Sequence, residues 1–210
     1  MTLRVVTYNV QGGVRGVEAV AGVLRDLAPD IACLNEVRGA NLRPIARIAG
    51  RRAVFGPTIG VRRFGNAILA REPFGRVTRI RLSKSPGMER RGLLIADCGG
   101  VTVAATHLGH AGEERARHLE EILGHVGQAR PAILAGDFNE PADGAALRRL
   151  AGHFTDAFAV AGEGGGATFP SNGPDRRIDY VFARGIDVVS CEVPRVSASD
   201  HLPVVAMLEP

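Results

Sequence analysis

Between positions 53 and 106 the sequence offers one β-type run after another and nothing that reads as a helix. Apolar and β-branched clusters lie around 53–55, 67–70, 76–82, 93–97 and 101–106, with turn residues between them. Strands that follow each other without a helical crossover pair antiparallel, because a parallel pair needs a long connection. Gly99-Gly100 marks a hairpin between the last two. Helices are therefore confined to the flanks. Val17, Val20, Leu24 and Leu27 share one helical face and predict a helix over 17–27, stopped at Pro29-Asp30. A shorter helix is expected over 41–49, with Asn41 as its cap and Pro44 in its first turn. Leu119, Ile122, Leu123 and Val126 predict a third over 113–128, and a short one follows over 144–150. Strands are expected over 3–9, 31–34, 132–135, 178–182, 186–193 and 202–208. The class is α/β, and with no repeat or linker in view the expectation is one domain over 1–210.

The expected strands stop in polar residues. The run Ile133-Leu134-Ala135-Gly136-Asp137-Phe138-Asn139-Glu140-Pro141 delivers a carboxylate and an amide to one side of an extended backbone, with Phe138 turned the other way. Strand ends often carry Asp and Asn simply as turn residues, so this run alone decides nothing. The pattern recurs, however, at Asn9, Glu36, His107, Asp179 and Asp200-His201. Sheet folds gather strand ends at one edge, where sites are built. Glu and Asp suit Mg²⁺, histidines supply proton transfer or a phosphate contact, and no Ser or Cys nucleophile stands beside them. That inventory points to attack by water on phosphorus with a metal offsetting the charge.

Bulk properties narrow the class. A chain of 210 residues, 45% hydrophobic, has enough for a sizeable core and is neither disordered nor fibrous. No apolar run approaches the ~20 residues that span a bilayer, and the start, Met1-Thr2-Leu3-Arg4-Val5, reads as a strand rather than a signal peptide. The expectation is a cytoplasmic protein. Cys33, Cys98 and Cys191 read as buried free thiols. Net charge is +4, and Lys84 is the only lysine. Arginine forks match phosphate oxygens, but a coding bias toward Arg explains the scattered pairs Arg51-Arg52, Arg62-Arg63, Arg90-Arg91, Arg148-Arg149 and Arg176-Arg177 better.

Taken together, Thr7-Tyr8-Asn9-Val10, Pro29-Asp30-Ile31 leading to Asn35-Glu36-Val37, Gly65-Asn66-Ala67-Ile68-Leu69, Thr106-His107-Leu108, Gly136-Asp137-Phe138-Asn139, Arg177-Ile178-Asp179-Tyr180-Val181 and Ser199-Asp200-His201-Leu202-Pro203 resemble the endonuclease/exonuclease/phosphatase superfamily, in family order. The resemblance implies a four-layer α/β-β/α sandwich of two mixed, mostly antiparallel sheets with helices on the outer faces. It also implies hydrolysis of phosphate esters with Mg²⁺ or Mn²⁺. By position it gives Asn9, Glu36, Asp137, Asn139 and Asp200 to the metal side. His107, Asp137, Asn139, Asp179 and His201 become the catalytic group, with His201 as general base or phosphate-binding imidazole oriented by Asp179. The implied partner is a phosphate-ester substrate, nucleic acid among the candidates, acted on by a monomer that does not insert into membranes.

Departures matter as much. Gln11 stands where apurinic endonucleases carry an acid, and with only Tyr8 and Tyr180 present their mid-chain tyrosine has no counterpart. The absence of Trp argues against a sphingomyelinase-like membrane surface. A phosphodiesterase is expected first, then a phosphomonoesterase on a sugar, inositol or lipid head-group phosphate, and third a non-catalytic phosphate- or nucleic-acid-binding domain. The segments 56–64, 83–91 and 162–174 are expected as specificity loops, with 162–166 flexible and Thr168 as a site or loop residue. His118 and His125 are expected on the exposed flank of the 113–128 helix, His153 in a loop, and His110 in solvent. Arg90 and Arg91 are weighed as phosphate contacts and set behind the bland reading.

Overall fold

The computed structural model describes residues 2–59 and 64–210; Arg62-Arg63 and part of the 56–64 segment lie outside them. The chain runs β1 (Leu3–Asn9), α1 (Val17–Leu27), β2 (Ile31–Arg38), α2 (Gly39–Ala49), β3 (Arg52–Ile59), β4 (Phe64–Ala70), β5 (Phe74–Arg81), β6 (Gly92–Cys98) and β7 (Val101–His107). It continues through α3 (Gly112–Val126), β8 (Ala132–Asp137), α4 (Ala145–Arg148), β9 (Thr155–Asp156), α5 (Ala157–Ala161), β10 (Asp179–Arg184), β11 (Asp187–Glu192) and β12 (Val204–Glu209). The strands form two sheets, β11-β12-β1-β2-β4-β3 and β5-β6-β7-β8-β10-β9. Each sheet has one parallel pair, β1 with β2 and β7 with β8, and each of those pairs is joined through a helix, α1 or α3. The other pairings are antiparallel, including β3 with β4 in the first sheet and β5-β6-β7 in the second; β4 and β5 follow each other without a helix but do not pair, because the chain crosses there from one sheet to the other.

Three apolar layers hold the sandwich. Between the sheets lie Val5, Ile31, Cys33, Val103, Ala105, Ile133, Ala135 and Val181, small enough to bring the sheets close. Val20, Leu24, Leu42 and Ile45 of α1 and α2 cover the outer face of the first sheet. Leu119, Ile122 and Val126 of α3, with Ala146 and Leu147 of α4, cover the second. The four-layer arrangement is the expected one. The cysteines are free and buried. Among the described residues no helix is long and apolar enough to cross a membrane.

Several local expectations are corrected. The helix α2 starts at Gly39, its entry makes no side-chain cap, and Pro44 falls in the second turn. Asn41 instead donates its amide to Gly12 O at 3.0 Å. Strand β2 runs on past Asn35-Glu36 to Arg38. Residues 56–59 belong to β3 rather than to a loop. Segment 162–166 is anchored at its start, where Glu163 N donates to Cys191 O at 2.8 Å. His118 is buried, not on the exposed flank, because the loop after β5 folds over α3 and Ser83 O meets its Nε2 at 2.9 Å. His110, His125 and His153 are exposed. The short β9 and α5 were not expected, although Asp156 caps α5 by accepting from Phe158 N and Ala159 N.

Candidate active site

The site follows from strand parity. Side chains two apart share a face, so the residues that fill the inter-sheet core also lead into the site. Along β1, Val5 and Thr7 lead to Asn9; along β7, Val103 and Ala105 lead to His107; along β8, Ile133 and Ala135 lead to Asp137; β10 opens with Asp179, two before Val181. Register then sets these ends side by side: His107 opposite Asp137, Asp137 opposite Asp179, and Asn9 opposite Asn35.

Glu36 is off this parity. The ladder between β2 and β4 shifts between Leu34 and Val37, and Glu36 takes a φ of 54°. A bulge of this kind re-aims a side chain, and here it turns the Glu36 carboxylate toward Asn9. The Asn9 amide donates to Glu36 Oε1 at 3.1 Å and to Asp137 Oδ2 at 3.0 Å, tethering two carboxylates from opposite sheets through one nitrogen. Just before Asp137, Gly136 lets β8 lie close against β7. Its φ is 150°, and a Cβ there would lie 1.8 Å from Thr106 O.

The histidines come from different places. His201 sits in the turn before β12, with Nδ1 2.8 Å from Asp179 Oδ2 and Nε2 3.8 Å from Asp137 Oδ2. Phe169 packs on the imidazole, ring centroids 4.7 Å apart. His107 Nε2 lies 3.4 Å from Asp137 Oδ2; with Nδ1 accepting from Arg91, the neutral ring carries its proton on Nε2, and the Asn139 amide nitrogen 3.0 Å away donates to Leu108 O at 3.0 Å. Asn139 N donates to Asp137 Oδ1 at 2.9 Å, closing the turn after β8, with Asn139 at a φ of 49°. Asp200 stands apart from these contacts. It accepts from Ser199 Oγ at 3.2 Å and acts on His201 through its charge. Thr168 Oγ1 accepts from the backbone N–H of Ile178 and Asp179 and so braces the start of β10.

Burial and crowding drive the proton affinities apart. Burial, then the charge of Asp179, pushes the Asp137 carboxyl up to about 7, against the pull of His201 and Asn9. Burial also works against a charged His201, but Asp179, Asp137 and Asp200 outweigh it and lift the imidazole to about 9. Burial, reinforced by Arg91, His201 and His110, holds His107 well below the ordinary histidine value, so its imidazole is neutral. Two histidines in one site thus carry different charges, the arrangement from which acid and base roles are built.

Two asparagines emerge as part of the frame. Asn35 Oδ1 accepts from Asp137 N at 2.9 Å, and its amide donates to Thr106 O at 2.8 Å and Asn66 Oδ1 at 2.9 Å. Asn66 donates on to Gly92 O at 2.8 Å. Together they bolt the two sheets to each other beneath the carboxylates. Asn35 lay beside Glu36 in the sequence pattern, but nothing in one sequence told its framing role from a metal-side one. Arg91, placed behind the bland reading from sequence, is buried and donates to His107 Nδ1 at 3.2 Å. A cavity of about 390 Å³ opens beside the cluster, lined by Glu36, Thr58, Phe64, Glu89, Arg91 and His107 among others.

The donor set fits a hard divalent cation. Glu36 and Asp137 meet at one nitrogen of Asn9, and the Asp179–His201 pair stands beside them, with Asp137, Asp179 and His201 bringing ligand-type atoms within 4.8 Å of one another. Carboxylate and amide oxygens are the ligands Mg²⁺ takes.

A sheet sandwich ending in carboxylates and two unlike histidines defines a hydrolase of phosphate esters. Comparison with known proteins gives the family: the model of the Endonuclease/Exonuclease/phosphatase family matches residues 6–201, and the chain belongs to that family. The structure of an endonuclease/exonuclease/phosphatase from Beutenbergia cavernae is 30% identical, with a TM-score of 0.86 over 99% of this chain and 71% of that one. The fold is shared at lower identity by a mannosyl-6-phosphatase of Bacteroides thetaiotaomicron, 18% identical, TM-score 0.84, covering 98% of this chain and 99% of that one. It is shared also by truncated Caenorhabditis elegans TDP2, 20% identical, TM-score 0.76, covering 100% and 98%. A search of curated proteins returned no match.

Proposed function

We propose that the protein is a divalent-metal-dependent phosphodiesterase, with Mg²⁺ or Mn²⁺ as cofactor. The observation that carries this is the pairing of His201 Nδ1 with Asp179 at 2.8 Å while Nε2 faces Asp137, itself tethered to Glu36 through Asn9. Glu36, Asp137 and the amide oxygens of Asn9 and Asn139 would hold the cation, while Asp200 adds negative charge near His201. When bound, the cation supplies positive charge for the phosphoryl oxygens and, by offsetting the carboxylates, lowers the hold of His201 on its proton.

The chain's own residues do the rest. His201 Nε2 accepts the proton of the attacking water, while Nδ1–H stays on Asp179, which fixes ring and tautomer. Asp137 orients that water. The Asn139 amide and neutral His107 hold the phosphate from the opposite side. Hydrolysis of bis(p-nitrophenyl) phosphate with Mg²⁺ or Mn²⁺ tests the reading. Turnover that survives EDTA, or survives Glu36→Ala combined with His201→Ala, would overturn it.

A second reading is a phosphomonoesterase. The cavity of about 390 Å³ is the size of a small ester's leaving group, and a mannosyl-6-phosphatase shares the fold. Comparing p-nitrophenyl phosphate with the diester at equal concentration separates the two.

A further inference from the structure

Arg91 is a buried cation without an adequate anion. It is 7% exposed and lines the cavity beside the catalytic cluster. Its guanidinium donates to His107 Nδ1 at 3.2 Å and His110 Nε2 at 3.3 Å, both uncharged acceptors when the rings are neutral, and its Nε is buried with no partner. A guanidinium has five N–H donors, so most of this fork is unspent. Among the described residues the one carboxylate within 4 Å of it is Glu89, 3.6 Å away and 65% exposed.

Other enclosed arginines differ. Arg177 is held by both oxygens of Asp156 at 3.0 and 2.8 Å, and Arg115 is paired with Glu140. Arg184, like Arg91, lacks a carboxylate and has a buried nitrogen without a partner, but it rests on Ala129 O and the face of Phe154, away from the catalytic cluster. Burying a charge is costly unless an opposite charge meets it, and of these four arginines Arg91 is the one that lines the cavity beside the catalytic cluster.

We infer that Arg91 and the cavity it lines form a second anion subsite beside the scissile phosphate, so that the favoured substrate carries a further phosphate on the group entering this cavity. The inference rests on the phosphate-ester reading above. Glu89 is the displaceable stand-in for that phosphate: close enough to lessen the charge, too exposed and too distant to saturate the fork. The His107 imidazole separates the two positions, with Arg91 at Nδ1 and Asp137 and Asn139 at Nε2. The second phosphate therefore belongs one linkage away from the first. A short nucleic-acid strand and a small bisphosphate both present that chemistry.

The test measures kcat/KM for matched pairs in Mg²⁺: a thymidine dinucleotide with and without a 5′-phosphate, and a hexose bisphosphate against its monophosphate. A preference of tenfold or more for the doubly phosphorylated member is expected in at least one pair, and which pair shows it names the source. Glu89→Gln should raise the ratio several-fold, and Arg91→Gln should bring it near one, whatever it does to turnover through His107. Ratios near one in wild type for both pairs, with bis(p-nitrophenyl) phosphate still hydrolysed, overturn the subsite and leave the enzyme. Titration of inorganic phosphate in EDTA decides it independently of turnover. Binding lost in Arg91→Gln but kept in Glu36→Gln supports the subsite. Binding absent from wild type, or indifferent to Arg91, overturns it.

Discussion

At the scale of single residues the site is a set of charges held where water would not leave them. The sharpest consequence concerns Asp179 and His201. Asp179→Asn keeps the shape but gives Nδ1 an amide in place of a charge. Turnover of bis(p-nitrophenyl) phosphate should fall by about 10²–10⁴-fold, the usual worth of a positioned acid or base, with an unchanged circular dichroism spectrum. Stability follows pH by the same charges. In the metal-free protein His201 holds its proton up to about 9, whereas an unfolded histidine releases it near 6.5. The folded state binds more protons in that window, so stability falls as pH rises through it. Asp137, lifted from 3.8 to about 7, acts with the same sign at lower pH. Melting temperatures in EDTA should therefore decline between pH 7 and 9, and the gap between wild type and His201→Gln should close by the top of that range. A gap that widens with pH would refute the assignment. Most of these residues were legible in sequence because Asn9, His107, Asp137 and Asp179 end strands on the face that also fills the core. Glu36 sits on the wrong parity, and only a bulge, which depends on the pairing partner β4, brings it in.

At the scale of elements, the long helices and the strand succession from β3 to β7 were readable from periodicity, since each has a repeated apolar face. What periodicity left out was whatever depended on a distant neighbour: the continuation of β2 past Glu36, the short α5, and the burial of His118 under the loop after β5. The same dependence makes the joints between elements the fragile places. Asn35 satisfies Asp137 N and Thr106 O across the gap between the sheets. Asn35→Ala removes the side-chain hydrogen bonds to Asp137 N, Thr106 O and Asn66 Oδ1, at about 1 kcal/mol each. The variant should unfold at lower urea, and lose activity beyond what its loss of folded protein explains, because Asp137 is set through that N–H. Gly136→Ala should cost more than ~2 kcal/mol, since a Cβ 1.8 Å from Thr106 O forces β7 and β8 apart. Stability equal to wild type in either variant would mean that these joints do not carry the site.

For the whole molecule, the two sheets are held together by a dry core at their centre and by polar ties at the edge where the carboxylates meet. Small residues such as Ala105, Ala135 and Cys33 let the sheets approach. That closeness concentrates Glu36, Asp137 and Asp179 at one rim. Burial and the nearby charge of Asp179 then raise the Asp137 carboxyl to about 7. A cation that binds only the folded arrangement must then stabilise the whole sandwich, because its ligands come from both sheets. At a hundredfold excess over its dissociation constant it contributes about 2.7 kcal/mol, or roughly 5–10 °C in melting temperature for a chain of this size. Differential scanning fluorimetry of EDTA-treated protein with added Mg²⁺ or Mn²⁺ should show that rise, and Glu36→Gln and Asp137→Asn should each blunt it. Ca²⁺, also an oxygen-seeking cation, separates site occupancy from catalysis: it should raise the melting temperature without supporting equal turnover. A melting temperature indifferent to all three ions would mean that the carboxylates at this rim do not gather a cation, and the hydrolytic mechanism built on them would have to be abandoned.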